Sequence, residues 1–255
     1  MARIGRQGAS ISTILGGAVA LALVGPMAGI AEAAAAKKLT VRVEGIVSNN
    51  GPIPTDYAFC VPNAQSHTTS GANKNPAITW SKGPAGTQSY AIIVVDTDVP
   101  TVFDDANKEG RTIAKSMKRR NFYHMVLVDI PASKTALASG ADSAGITAKG
   151  KPPGPTPNGL RGINDYSGAM SGDMAGNYGG YDGPCPPWND EILHHYHFIV
   201  YALDVPSLGL SGNFTGAVAQ AAIAKHVLAK GEVVGTYTQN PALMKKSKMA
   251  VKTSS

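Results

Sequence analysis

Apolar residues are concentrated in a few short runs that turn-forming residues close. Residues 89–95, 123–130 and 194–203 are rich in Val, Ile and Tyr, and each run is followed by Asp or Pro. Runs of this length and composition predict β-strands. Residues 38–47 alternate between apolar and polar positions, which predicts another strand with one exposed face.

The rest of the chain shows little helical periodicity. Residues 140–183 are rich in glycine and proline, and we expect a long loop over the sheet there. Residues 217–230 predict one late helix, with Thr215 as its N-cap and Gly231 as its stop, before a last strand at 232–237. This order predicts an all-β fold, an antiparallel β-sandwich with a peripheral C-terminal helix.

The N-terminal segment has the organisation of a secretory signal peptide. Arg3 and Arg6 precede an apolar stretch at 11–30, and Ala31-Glu32-Ala33 fits a cleavage site. We interpret residues 1–33 as a signal peptide; the alternative is a retained membrane anchor, against which the Gly25-Pro26 break argues. The expected location is periplasmic or secreted, and the cleaved chain is not expected to be an integral membrane protein.

The chain carries a net charge of +6 over its 255 residues, but unevenly. Residues 1–36 contribute +1 and the four lysines after Gln239 contribute +4, which leaves +1 for the domain expected at 37–239. Residues 240–255 are interpreted as a basic flexible tail. A nearly neutral body makes nucleic acid an improbable partner.

Common catalytic and cofactor signatures are missing from the sequence. It has no Gly-x-Ser-x-Gly elbow, and a near-match to a phosphate-binding loop at 145–151 is followed by Pro152 instead of Ser or Thr. One basic cluster follows three acidic residues and is interpreted as a solvated loop: Arg111, Lys115, Lys118, Arg119 and Arg120. We assign no cofactor.

Polar residues at the ends of the predicted strands are the candidates for a site. They are Asp96 and Asp98 after one strand, His124 near the start of the next, the loop 181–187, and the strand that begins at His194. Residues at strand ends are held by a rigid scaffold and often bind ligands. His195 and His197 have a spacing that can bind a metal, but no third ligand is evident, so we assign no metal site.

Five segments, in order, resemble the phosphatidylethanolamine-binding protein family and its bacterial Raf-kinase-inhibitor-like branch. They are Asn75-Pro76-Ala77-Ile78-Thr79-Trp80, Asp96-Thr97-Asp98-Val99-Pro100, the strand from His124 to Pro131, the loop from Tyr181 to Pro187 with His194-His195-Tyr196, and Tyr201-Ala202-Leu203-Asp204. Thr97 stands where the family has proline, and His195 where it has arginine. The resemblance implies a Greek-key sandwich with a small anion-binding pocket at one end.

By this resemblance the ligand-binding residues are Asp96, Asp98, His124, Tyr181, Gly183, Pro187, His194 and Tyr196. Asp98 has the alternative role of a turn cap, and Tyr181 that of a packing residue. Backbone N–H groups of the loop and histidine N–H groups would bind anion oxygens, so binding would strengthen as the histidines protonate. Asp96 would orient a histidine or contact an ammonium group.

The implied function is a non-enzymatic protein that binds a small anion or a phosphorylated head group and inhibits a protease or a kinase. The alternatives are a hydrolase of phosphate or acyl esters that uses the same Asp and His residues, and a surface interaction module. The two cysteines, Cys60 and Cys185, form either a disulfide beside the pocket loop or two buried thiols.

Overall fold

The predicted apolar runs form the centre of one large sheet. The structure, a computed structural model, describes residues 37–244; the predicted signal peptide and residues 245–255 lie outside the described residues. In chain order the strands are β1 (Lys37–Lys38), β2 (Val41–Val43), β3 (Gly51–Pro52), β4 (Cys60–Asn63), β5 (His67–Ser70), β6 (Ile78–Trp80), β7 (Ser89–Pro100), β8 (Arg119–Pro131), β9 (Ala136–Leu137), β10 (Gly154–Thr156), β11 (Gly159–Arg161), β12 (His194–Leu203) and β13 (Val227–Tyr237).

The large sheet has the order β1-β13-β12-β7-β8-β11-β10, and β3 also pairs with β13. Strands β7, β8 and β11 are successive antiparallel neighbours, and the chain then returns by a long connection to place β12 beside β7. This order of four strands is a Greek key. A smaller sheet, β2-β6-β9, and the hairpin β4-β5 complete the described sheets.

The middle of each central strand is apolar because both faces of the large sheet are buried there. Ile92 of β7 belongs to the core shared with the smaller sheet, which also contains Trp80 of β6. Ile93, one residue further, belongs to a second core on the opposite face, which contains Ile223 of a short helix. This two-sided burial explains runs without the alternation of a half-exposed strand.

The helices are α1 (Tyr166–Ala169) and α2 (Gly216–Ile223), with 3-10 turns at Thr55–Tyr57 and Gly172–Met174; residues 241–244, at the start of the expected tail, are also helical. No helix among residues 37–244 is long and apolar enough to span a membrane.

The late helix is shorter than the sequence predicts. Thr215 caps α2, with its hydroxyl oxygen accepting a hydrogen bond from the Val218 N–H, but the helix ends at Ile223. Residues 227–230 belong to β13 instead, because they pair along β12. Gly231 is not a helix stop; it lies opposite Val200, where a Cβ atom would approach the Leu39 carbonyl oxygen to 2.5 Å.

Two other predicted boundaries also change. The strand predicted at 38–47 is divided into β1 and β2, and a turn follows at Gly45, which has a φ of +79°. The predicted loop at 140–183 is mostly irregular but contains the β10-β11 hairpin and α1. The hairpin extends the large sheet through pairing of β11 with β8.

Candidate ligand-binding site

Three adjacent strands bring the polar candidates together at one end of the large sheet. Asp96 of β7 lies opposite Phe122 of β8 on one side and Tyr196 of β12 on the other. His124 lies two residues from Phe122 on β8, and His194 lies two residues from Tyr196 on β12. Asp96, His124, His194 and Tyr196 are all buried, with at most 3% of each residue exposed.

A β-bulge directs His124 into the site. The pairing of β7 with β8 passes from Val94–Met125 to Val95–Tyr123, so His124 is an extra residue without a partner on β7. Met125 belongs to the core facing the smaller sheet and Tyr123 to the opposite core. The extra residue therefore interrupts the strict alternation of the strand and changes the direction of a side chain, as bulges near binding sites commonly do.

A second bulge follows Asp96. The pairing passes from Asp96–Phe122 to Val99–Arg120, which leaves one additional residue on β7. Asp96 does not end its strand, as the sequence suggested, because β7 continues to Pro100. The Asp96 carboxylate accepts the Asp98 N–H at 2.8 Å across this bulge, which fixes its orientation.

His194 lies between two carboxylates. Its Nδ1 is 2.7 Å from Asp96 Oδ2 and its Nε2 is 3.2 Å from Asp190 Oδ2. Arg119 donates two hydrogen bonds to Asp190, at 2.5 and 3.0 Å. Burial opposes a charged imidazole here, but the Asp96 and Asp190 carboxylates outweigh it and raise the pKa of His194 to about 9. His194 is therefore protonated at neutral pH, and both of its N–H groups are occupied.

These four residues form an alternating chain of charges, Arg119–Asp190–His194–Asp96, with no net charge. We call it the charge chain. Burial also disfavours the Asp190 carboxylate, but its contacts with His194 and Arg119 dominate and lower its pKa. Sequence reasoning missed two members. Arg119 was expected in a solvated loop but begins β8. Asp190, four residues before His194, was not among the predicted site residues.

His124 differs from His194 in its protonation. Its Nδ1 donates to the Asp182 carbonyl oxygen at 2.6 Å, and its Nε2 has no hydrogen-bond partner among the described residues. Burial lowers the pKa of His124, although Asp96, Asp165 and Asp182 act in the opposite direction. A neutral imidazole whose Nδ1 carries the proton presents a lone pair at Nε2. This nitrogen accepts hydrogen bonds until the ring is protonated.

The loop 181–187 is anchored by the buried carboxylate of one of its own residues, Asp182. Asp182 accepts hydrogen bonds from Asn73, Lys151 and Asn164 at 2.7–2.9 Å. Lys151, the last residue of the apparent phosphate-binding loop, is thus an internal ion-pair partner. The buried cation satisfies the buried carboxylate, as the low dielectric of the interior requires.

Gly183 does not provide the free backbone donor that the sequence suggested. Its N–H donates to Asn73 Oδ1 at 2.8 Å, and its carbonyl accepts the Tyr166 hydroxyl at 2.7 Å. A Cβ atom at this position would lie 1.9 Å from the Tyr57 carbonyl oxygen, so only glycine fits. Gly183 therefore lets the loop 181–187 pack closely against Tyr57, beside the site.

Two further predicted residues lie beside the site without lining it. Tyr181 is completely buried in the main core and donates its hydroxyl to the Tyr57 carbonyl oxygen at 2.7 Å. Asp98 accepts the His195 N–H and contacts His195 Nδ1, at 2.8 and 2.7 Å. These placements fit the alternative roles of a packing residue and a structural cap.

A cleft of about 920 Å³ opens above the charge chain. Predicted residues in its lining are Asp96, Pro187, His124, His194 and Tyr196; residues that the sequence did not suggest for the site include Val99, Phe103, Phe122, Ile163, Asp165 and Tyr166. Arg120, which was expected in a solvated loop, lies on β8 and also lines the cleft. The Cys60–Cys185 disulfide, with its Cα atoms 4.7 Å apart, joins the β4-β5 hairpin to the wall of the cleft. The cleft thus combines a polar floor with aromatic and aliphatic walls.

The described residues contain no group of three or more His, Cys, Asp or Glu side chains placed to hold a metal ion. The His-x-His pair is engaged elsewhere, since His195 contacts Asp98 and His197 Nδ1 contacts the Glu232 carboxylate.

The family profile described as phosphatidylethanolamine-binding protein matches residues 44–238. The chain belongs to this family. The UPF0098 protein YbcL of Escherichia coli is 30% identical over 168 residues, which cover 66% of this chain and 73% of that protein. A UPF0098 protein of Chlamydia pneumoniae is 27% identical over 187 residues, covering 72% and 95% of the two chains.

Solved structures of the phosphatidylethanolamine-binding family share the fold. The crystal structure of E. coli YbcL, described as a new member of the mammalian family, has a TM-score of 0.56 and 25% identity, covering 79% of this chain and 98% of that one. The homologue CT736 of Chlamydia trachomatis has a TM-score of 0.51 and 24% identity over the same shares. The predicted family and β-rich fold are confirmed.

Proposed function

We propose that this member of the phosphatidylethanolamine-binding family is an exported, non-enzymatic protein that binds a small anion-bearing ligand, such as a phosphorylated head group, in the cleft above the charge chain. The observation that carries this proposal is His124. It is a buried imidazole with one nitrogen fixed by the Asp182 carbonyl and the other without a hydrogen-bond partner among residues 37–244.

The protonation of His124 links ligand binding to pH. An anion in contact with Nε2 favours the imidazolium form, because it supplies the hydrogen-bond acceptor that a second N–H needs. Binding of such an anion therefore takes up a proton and strengthens as the pH falls. His194 adds little to this dependence, since its pKa of about 9 leaves it charged at neutral and acidic pH.

The test compares sulfate binding at about pH 5.5 and about pH 8 by calorimetry, since sulfate does not change its charge in this range. One coupled proton gives a limiting change of about tenfold in affinity per pH unit. His124→Asn keeps a donor near the Asp182 carbonyl but removes Nε2, and we expect it to abolish most of the difference. His226→Gln, which alters an exposed contact with Asp204, is the matched control. Equal wild-type affinity at the two pH values would refute this account.

No specific observation favours a hydrolase. The one serine in the described lining of the cleft, Ser167, accepts the Tyr178 N–H, and Cys185 is in the disulfide. A panel of chromogenic esters tests the alternative: hydrolysis that disappears in His124→Asn would favour an enzyme.

Export is supported by the signal-peptide pattern of residues 1–33 and by the disulfide, which is typical of oxidising compartments. Mass spectrometry of the protein from each cell fraction tests it. An uncleaved, cytoplasmic chain would contradict the proposal. Protease or kinase inhibition stays a prediction from family resemblance.

A further inference from the structure

A second groove lies at the edge of the large sheet, where β13 faces the turn between β2 and β3. It has a volume of about 1120 Å³ and shares no lining residue with the cleft above the charge chain. Residues 231–234 of β13 form its floor, and residues 38–43 and 45–49 contribute its walls. The groove is therefore a separate candidate site, and its occupant is independent of the proposed function.

One residue at the edge of β13 lacks a backbone partner in this groove. Alternate residues of β13 direct their backbone groups away from β12. Lys230 accepts the Leu39 N–H at 2.9 Å, and Val234 accepts the Asn50 N–H at 2.8 Å. Glu232, midway between them on the same strand, has its N–H and C=O in the same direction, but these groups make no hydrogen bond to residues 37–244. The groove thus offers one donor and one acceptor, the pair that binds one residue of an antiparallel chain.

The flanking segments limit what can pair with Glu232. Residues 37–39 cover the edge of β13 on one side of it, and residues 50–53 cover the edge on the other side. A long strand added in line with β13 would collide with both segments. A chain that ends opposite Glu232 needs only one exit from the groove. The opening therefore favours a chain terminus over an internal extended segment.

The charges in the groove favour a carboxyl terminus. Lys38 and Arg42 line it and are exposed, and neither contacts a carboxylate among residues 37–244. Glu232, the one acidic residue in the described lining, contacts Lys230 at 3.5 Å and also contacts His197. The groove consequently has an excess of positive charge, which attracts a carboxylate and repels an ammonium group.

The inner wall of the groove is apolar. A residue opposite Glu232 has its side chain on the same face as Glu232, and the residue before it has its side chain on the face of Val233. Val233 and Val41 pack against the main core, and Ile46 is buried in it. An antiparallel chain also directs its carboxylate towards Lys230, the residue opposite Lys38. An apolar penultimate residue therefore matches this wall.

We propose that the groove binds the carboxyl terminus of a partner protein whose penultimate residue is apolar. The last N–H donates to the Glu232 carbonyl oxygen, and the carboxylate accepts the Glu232 N–H beside Lys38 and Arg42. The penultimate side chain packs on Val41 and Val233. The carboxyl terminus of this chain does not match these features, because residues 245–255 contain four lysines and end in two serines.

The experiment follows the backbone amide signals of the isotope-labelled protein by NMR during titration with the peptide acetyl-Gly-Ser-Leu-Ala. We expect a saturable shift of the Glu232 signal. The same peptide with a C-terminal carboxamide should bind about tenfold more weakly or less, because the charge-assisted contacts of the carboxylate are lost. Acetyl-Gly-Ser-Ser-Ala should bind about fivefold more weakly or less, because its penultimate side chain buries little apolar surface.

Two sets of variants test the contacts of the protein. Lys38→Gln combined with Arg42→Gln should weaken binding about tenfold or more; Lys37→Gln, at an exposed lysine outside the groove lining, is the matched control and should change the affinity less than about twofold. Glu232→Pro removes an N–H that no residue of 37–244 accepts, and it should abolish binding while β12 stays paired. Glu232→Gln retains the N–H and should bind at least as tightly as the wild type.

Thermal unfolding verifies that each variant is folded; if Glu232→Pro is not, the double variant and the peptide series decide. Equal affinity for the carboxylate and the carboxamide would overturn the inference, as would equal effects of Lys37→Gln and the double variant. Saturable shifts that leave the signals of residues 231–234 unchanged, or no binding of acetyl-Gly-Ser-Leu-Ala up to its solubility limit, would also overturn it. Each of these results would leave the proposed function of the cleft intact.

Discussion

The charge chain makes a definite prediction about stability and pH. His194 has an ordinary pKa of 6.5 that is raised to about 9 in the folded protein. Because the folded pKa is the higher one, the protonated imidazole stabilises the fold fully below about pH 6.5, and this contribution is lost as the pH rises through about 9. The shift corresponds to about 3 kcal/mol in the free energy of unfolding.

Asp190→Asn tests this reasoning because it removes one of the two carboxylates without a large change in shape. Arg119, whose side chain is 13% exposed, then keeps its charge without its partner, and we expect a loss of about 3 kcal/mol at about pH 6. The remaining pH-dependent loss should fall to about half of the wild-type value, since Asp96 alone supports the imidazolium.

The assay is urea unfolding at intervals from about pH 6 to about pH 9.5. Asp204→Asn, at an exposed contact with His226, is the control and should cost less than about 0.5 kcal/mol. A wild-type stability that stays constant across this range would show that His194 is not held as an imidazolium. An equal pH-dependent loss in the wild type and in Asp190→Asn would show that Asp190 does not support the charge.

Two further predictions concern the loop 181–187 beside the cleft. Gly183→Ala should lose more than about 2 kcal/mol of stability in the same assay, because its Cβ would collide with the Tyr57 carbonyl. The control, Gly145→Ala, has open space around its Cβ and should stay within about 0.5 kcal/mol of the wild type. Equal losses in the two variants would contradict the argument. Replacing both Cys60 and Cys185 by serine should lower stability by about 2–4 kcal/mol, because the bond closes a loop across a sequence separation of 125; unchanged unfolding with and without reductant would contradict it.

The central strands of the large sheet could be predicted because burial on both faces requires a run of apolar residues. Residues 90–95 and 198–203 are continuously apolar, and the structure buries most residues on both faces of these parts of β7 and β12. The end of α2 could not be predicted in this way, because residues 227–230 are compatible with a helix by composition. Their pairing with β12 overrides that preference, since it satisfies backbone groups along an already formed strand.

Only the site residues that belong to a recognisable family motif could be predicted from the sequence. Asp96, His124 and His194 follow from the family motifs, and the structure brings all three to one cleft. Arg119 lies in a run of basic residues, and Asp190 stands beside Glu191 in a loop. Only the fold distinguishes this buried pair from a solvated one. The orientation of His124 depends on a bulge, which adds a single residue and leaves no mark in the pattern of apolar positions.

The neutrality of the charge chain has a consequence for recognition. Two cations and two anions compensate each other below the cleft, so the fixed charges of the floor do not attract an anion over distance. Residues 37–239 carry a net charge of only +1, so the bulk field adds little. In the proposed function, selectivity depends on a group whose state changes with pH: the Nε2 of His124 offers a lone pair when the ring is neutral and a donor when it is protonated. We therefore expect that a greater total negative charge alone does not raise the affinity of a ligand.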